Sequence, residues 1–236
     1  MKFARFRFIT PFVRFLWWTA GLFLRMVYRP RLRFASPKAK EAFKSPCILI
    51  ANHRSHLDGA YLPLALRRLR PWTYVAKDWY EKKKIHWIFS NLRYMPMNRH
   101  EMDTAWLEMG EEVIGKGKSV LIFPEGKLGH AASPDAFKPG FLMLARRTGV
   151  PVIPVAMIGP YRKFHRNYVV VGEPSAIDVT RPGRPSLLFR EGAVTCREEL
   201  CRLMGVSTDL PAEAVSEEKP TEGASAAGEV AESATK

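Results

Sequence analysis

Between Ala51 and Gly59 the chain reads Asn52-His53-Arg54-Ser55-His56-Leu57-Asp58. Six of these seven side chains are polar or titratable, and they follow directly on the apolar run Cys47–Ala51. Such groups do not stabilise a core unless each finds a partner. His53 and Asp58 are five apart, and a turn between a strand and a helix would let the carboxylate fold back onto the imidazole. A carboxylate bonded to one ring nitrogen fixes the tautomer and makes the other nitrogen a better base. Such a pair can take a proton from a hydroxyl. It needs no nucleophilic Ser or Cys if the substrate's own oxygen attacks. Ser55 has a hydroxyl to offer as a nucleophile, but nothing in the sequence singles it out. His53, His56 and Asp58 also form a set of metal-ligand types. Zinc proteases, however, place two His four apart on a helix beside a Glu, and no distant third ligand follows here. No metal is therefore expected. This stretch alone also reads as a helix cap, with Ser55 or Asp58 bonding free amides of the next helix.

Two further stretches carry groups of the same kind. Ile122-Phe123-Pro124-Glu125-Gly126 places a carboxylate just past an apolar run, and Tyr94-Met95-Pro96-Met97-Asn98-Arg99 ends on an arginine whose planar fork suits a phosphate. In open α/β sheets, functional groups gather beyond the carboxyl ends of strands. All three stretches occupy that kind of position.

The elements that must place them follow from periodicity. Strands are expected at 47–51, 72–76, 94–97, 119–123, 152–158 and 168–171, and helices at 59–69, 81–91, 104–114 and 141–147. Pro154 argues against a central, fully bonded place for its strand. The alternation predicts an α/β fold: a single domain over 36–207 with a mixed central sheet flanked by helices.

Charge sets the partners. The chain carries a net +14 over 236 residues. Residues 1–35 hold eight Lys or Arg and no acid, whereas residues 211–236 hold six Glu and two Lys. So basic a body seeks phosphate. In the first 35 residues Phe, Trp, Leu and Met interleave with Arg, and the longest uncharged run is only Phe15–Leu24. A bilayer span needs about 20 apolar residues. An interfacial amphipathic helical segment fits instead, docking on an anionic membrane surface. Arg162, Lys163 and Arg166, around His165, are candidates for the same headgroups. No nucleic-acid motif is present, and no nucleic-acid partner is expected. Residues 208–236 are poor in apolar side chains and read as a disordered acidic tail. Cys47, Cys196 and Cys201 have no metal or CxxC spacing and read as packed thiols of a reducing compartment.

With these residues in view, the sequence resembles the glycerolipid acyltransferases, the 1-acylglycerol-3-phosphate acyltransferase family. Asn52–Asp58 matches that family's NHx4D box, and Phe123–Gly126 its FPEG box. Pro96–Arg99 resembles the second box and Val152–Gly159 the fourth, so the likeness spans residues 10–180. The resemblance implies that His53 is the general base and that Asp58 orients it. The acceptor hydroxyl would attack the thioester of acyl-CoA or acyl carrier protein, the only co-substrate, with no cofactor. Arg99 would bind the acceptor's phosphate and Glu125 and Gly126 its glycerol phosphate. Asn52, Arg54, Ser55 and Lys127 complete the expected substrate-binding set. It also implies a lysophospholipid acceptor, a role in phospholipid biosynthesis, and a peripheral or monotopic place on the cytoplasmic face of the cell membrane. One departure stands out. Family members continue FPEG with Thr-Arg-Ser, whereas this chain reads Lys127-Leu128-Gly129. A lysine shifted by one residue does not reproduce the guanidinium fork. The acceptor is therefore open between 1-acylglycerol 3-phosphate, glycerol 3-phosphate and another lyso-lipid or polyol. A non-catalytic membrane-binding module is the other reading.

Overall fold

A computed structural model describes residues 11–98, 104–129, 132–159 and 161–209. Helix α1 (Pro11–Tyr28) leads into strand β1 (Pro30–Phe34) and the short α2 (Pro37–Ala42). Strand β2 (Ile48–Ala51) is followed by α3 (Asp58–Ala65), and β3 (Trp72–Ala76) by α4 (Lys77–Tyr80) and α5 (Lys83–Asn91). Then come β4 (Tyr94–Met97), α6 (Ala105–Gly115), β5 (Val120–Ile122), α7 (Gly140–Thr148), β6 (Val152–Met157), β7 (Asn167–Val171) and α8 (Pro185–Met204).

The strands form one seven-stranded sheet in the order β1-β7-β6-β2-β5-β3-β4. Neighbours are parallel except β6 and β7, so the sheet is mixed. Strand β2 is buried on both faces, as parallel strands between helix layers must be. Its side chains alternate between two cores. Ile48 and Ile50 meet Leu107, Leu142, Leu144 and Leu200 from α6, α7 and α8. Leu49 and Ala51 meet Phe43, Tyr61, Leu62 and Leu66 on the α3 side. Burying one such aliphatic side chain contributes about 1.5–3 kcal/mol, and these two layers fix the height of every strand end.

Five elements differ from the sequence-based expectation. Residues 30–34, assigned to the helical segment 1–35, form edge strand β1 beside β7. Their Arg-Leu-Arg alternation leaves Arg31 and Arg33 exposed, which suits an edge that must not pair further. Helix α8, like the short α2 and α4, has no counterpart in the expected elements. Strand β6, finally, is central despite Pro154. The Pro154 carbonyl accepts the Gly172 amide at 2.8 Å on the β7 side, just beyond the Val155–Val171 pair that ends that ladder. The missing N–H points the same way, so it costs one bond at a ladder's end and none to β2. Gly172 makes room, since a Cβ there would lie 2.8 Å from Pro154 Cγ.

Helix α1 packs on α3 through Gly21, where a Cβ would lie 3.0 Å from Leu64. On its outer side Phe15, Trp18, Leu22, Phe23 and Met26 are exposed. Among the described residues no helix is long and apolar enough to cross a membrane. At the other end of the domain the buried Arg197 guanidinium donates to the carbonyls of Pro134, Thr208 and Asp209. It thereby fastens the first residues of the expected tail, whose remainder lies outside the described residues.

Candidate active site

Parallel β2 and β5 end side by side, with Ile50 opposite Ile122. The chain after each strand therefore emerges at one rim, and backbone bonds join the two segments. The Glu125 carboxylate accepts the His53 amide at 2.8 Å through Oε1 and the Asp135 amide at 3.0 Å through Oε2. The His53 carbonyl accepts the Gly129 amide at 2.7 Å. A Cβ on Gly129 would lie 2.7 Å from Glu125 Oε2, so only glycine allows this approach. Asn52 ties the same turn to β6: its Oδ1 accepts the Met157 amide at 2.9 Å and its Nδ2 donates to the Met157 carbonyl at 3.3 Å.

Held from both sides, His53 presents its ring. Nδ1 lies 2.9 Å from Asp58 Oδ2. The imidazole stacks on Phe123, with centroids 4.3 Å apart. Its side chain is 22 % exposed, whereas that of Asp58 is fully buried. The same Asp58 oxygen accepts the amides of Arg54 at 2.7 Å and Ser55 at 2.9 Å. The other, Oδ1, accepts the Tyr161 hydroxyl at 2.5 Å. A buried carboxylate needs such partners to remain charged. Asp58 bonds the loop before it rather than the amides of α3, so it is not a helix cap. Tyr161 is itself enclosed; burial, then the Asp58 charge beside it, push its hydroxyl far above the usual tyrosine range, which keeps it a donor.

The other expected residues divide. Arg54 is exposed and Ser55 half-buried at the rim. A shallow cleft beside them is lined by Arg54, Gly129, Ala132 and Ser133. Asn52 and Glu125, expected among the substrate contacts, line the same cleft. Both are buried, and their polar atoms are spent on backbone. Burial pushes the Glu125 carboxyl above its usual value, while the two amides pull it back. Gly126 turns the chain at a φ of +69°, where a side chain is disfavoured and a Cβ would press on Lys138. Lys127 stands half-exposed with Nζ 3.6 Å from Asp135. Arg99 lies outside the described residues, though β4 ends on the same rim as β3. His56 is exposed and packs on Trp79, centroids 5.0 Å apart, rather than joining His53. Among the described residues no group of three or more His, Cys, Asp or Glu could hold a metal.

Sequence reasoning missed Tyr161, Phe123, Gly129 and Asp135. Tyr161 follows the strand 152–157 just as His53 follows 48–51, so the rule that led to His53 also points to it. The tasks of Gly129 and Asp135 rest on backbone contacts that leave no pattern in the sequence.

Comparison with known proteins adds to this geometry. A family model described as Acyltransferase matches residues 30–158. A chloroplastic 1-acyl-sn-glycerol-3-phosphate acyltransferase of Brassica napus is 31% identical over 118 residues, 49% of this chain and 33% of that protein. A probable 1-acyl-sn-glycerol-3-phosphate acyltransferase of Mycoplasma genitalium is 30% identical over 129 residues, 52% of this chain and 48% of that one. The matched part thus spans less than half the length of these curated relatives. The crystal structure of a 1-acyl-sn-glycerophosphate acyltransferase from Thermotoga maritima shares the fold. Its TM-score is 0.57 at 20% identity, covering 81% of this chain and 80% of the other.

Proposed function

Because the chain belongs to the Acyltransferase family, we propose that it moves a fatty acyl group from a thioester to the hydroxyl of a lysophospholipid, 1-acylglycerol 3-phosphate first among them. The contact between His53 Nδ1 and Asp58 Oδ2 carries this reading. Asp58 holds the proton on Nδ1, which leaves Nε2 unprotonated for the substrate. Nε2 takes the acceptor's hydroxyl proton as its oxygen attacks the thioester carbonyl carbon. The tetrahedral intermediate collapses with loss of the C–S bond, and the departing thiolate recovers the proton from the imidazolium. Asp58 stabilises the transient cation. No side chain becomes acylated. The donor is acyl-CoA or acyl carrier protein. Arg54, Ser55, Lys127 and Arg99 supply the rim for the acceptor's phosphate.

The stripe Phe15, Trp18, Leu22 and Met26 on α1 supports docking on an anionic membrane, as a peripheral or monotopic protein of the cytoplasmic face. From there a lipid acceptor reaches the rim without crossing water. A second acceptor class is favoured by one observation: Lys127 faces Asp135, and Leu128 stands where the resembled FPEG box would continue with an arginine. An acceptor with a weaker phosphate requirement, another lyso-lipid or a polyol, fits that rim.

The test follows free thiol release from long-chain acyl-CoA or acyl carrier protein in mixed micelles, each acceptor in turn. Release that depends on 1-acylglycerol 3-phosphate and falls about 10²–10⁴-fold in His53→Ala is expected. Release with a different acceptor reassigns the substrate. A folded His53→Ala protein with undiminished turnover removes the dyad mechanism.

A further inference from the structure

The loop between β6 and β7 sends Tyr161 inward to Asp58 and Phe164 outward. Phe164 is 65% exposed. Its φ of +62° lies in the left-handed region, which bulky residues avoid. Arg162, Lys163, His165 and Arg166 flank it, and residues 159–166 contain no acid. The loop is fastened to the end of α1. The Phe164 amide donates to the Val27 carbonyl at 2.5 Å. The Asn167 side-chain amide donates to the carbonyls of Tyr28, Arg162 and His165, and its oxygen accepts the Arg162 amide at 2.9 Å. The exposed Arg29 stands at the same junction, its carbonyl accepting the Asn167 amide at 3.4 Å.

An aromatic ring held in water by backbone bonds, among cations, has the chemistry of a lipid interface. The ring suits the layer below the headgroups, and the cations suit lipid phosphates. We propose that the Tyr161–Arg166 segment is a second membrane contact, inserting Phe164 into an anionic lipid surface beside α1. This rests on the reading of α1 as the membrane-facing helix and adds a separate, testable anchor. It places an anchored residue three positions from Tyr161, which fixes the dyad near the surface that supplies a lipid acceptor.

The experiment measures partitioning of the full chain onto phosphatidylcholine vesicles with and without phosphatidylglycerol, across salt. Phe164→Asn keeps the left-handed backbone, which Asn tolerates, and removes the ring. It should lower partitioning about tenfold at any salt. Arg162→Gln, Lys163→Gln and Arg166→Gln together should lower it roughly 100-fold on anionic vesicles at low salt, with the gap closing as salt rises. Melting temperature and turnover of a micelle-dispersed acceptor should stay unchanged in both. If both variants bind like the unmutated protein while Trp18→Ser does not, the loop proposal falls and the α1 reading stands. Absence of binding by the unmutated protein overturns both. Loss of self-association in the variants, with vesicle binding intact, assigns the loop to a second copy and overturns the membrane contact.

Discussion

Replacing Asp58 by Asn separates a catalytic carboxylate from a structural knot. Asp58 accepts from His53 Nδ1, the Arg54 amide, the Ser55 amide and the Tyr161 hydroxyl. The Arg54 and Ser55 amides on Oδ2 can only donate, whereas the hydroxyl on Oδ1 can rotate to accept and His53 Nδ1 can accept in the other tautomer. The Asn amide nitrogen must therefore take the place of Oδ1 and donate to Tyr161, which leaves the amide oxygen with the three N–H donors. The geometry survives, but four charge-assisted bonds become neutral ones, each weakened by about half. Relief from burying a charge offsets part of that loss. A net destabilisation of about 1–2 kcal/mol follows, or a fall in Tm of roughly 2–8 °C. Asp58→Ala removes every acceptor and should cost about 3–5 kcal/mol. Turnover should behave otherwise. Without the negative charge the imidazolium formed during reaction loses its stabiliser, and kcat should drop on the order of 10²–10⁴-fold in Asp58→Asn. The assay is thiol release at saturating acceptor, with melting of the same preparation. An Asn variant that melts as described yet turns over within about tenfold of the unmutated protein would refute the reasoning; Asp58 would then serve only to close the loop.

Three further outcomes follow from particular side chains. The Glu125 carboxyl titrates above its unfolded value because it is buried, so the folded state binds the proton more tightly. Stability should thus fall as pH rises from the unfolded value of 4.5 through the raised one, and Glu125→Gln, followed by denaturant titration across that window, should flatten the slope. Lys127→Met should raise KM for a phosphorylated acceptor with little change in kcat if its ammonium meets phosphate; an unchanged KM assigns Lys127 to its Asp135 pair. Burial pushes the Cys47 thiol to about 11 and the Cys196 thiol to about 12. At pH 8 alkylating reagents should therefore leave both unmodified, and turnover unaffected, until the protein unfolds.

How far the sequence can be read depends on which interaction places a residue. The strands that carry the site, 48–51 and 120–122, are buried on both faces, and that shows as unbroken apolar runs. Their carboxyl ends point directly to His53 and Glu125. Strand β1 was hidden because its alternation involves Arg, and a cluster of cations following an aromatic helix reads as one segment. Helix α8 was hidden by its charged outer face, although Leu188, Gly192, Cys196 and Leu200 recur every fourth residue and are buried. Pro154 misled because the rule against proline in a central strand counts both ladders, whereas only the bond at the end of the β7 ladder is lost. The backbone bonds of Asn52 and Glu125 could not be read at all. Nothing in a sequence tells whether a polar side chain beside a base turns toward the substrate or toward a neighbouring strand's backbone.

That last distinction changes how the two most specific boxes relate. Glu125 grips the His53 amide and Gly129 the His53 carbonyl, so the Phe123–Gly129 turn works as a mount for the base. Phe123 adds the surface on which the ring lies. A glutamate suits position 125 because it bonds two backbone amides, at a spot where glutamine would set a donor against one of them. Under the proposed function, the side chains that the mount does not use, Arg54, Ser55 and Lys127 among them, are left to read the acceptor. Such a division lets the side chains at 127 and 128, within that turn, differ without disturbing its bonds to the His53 backbone. The departure at Lys127-Leu128 is therefore compatible with an intact His53–Asp58 contact and, under the proposed function, bears on the choice of acceptor.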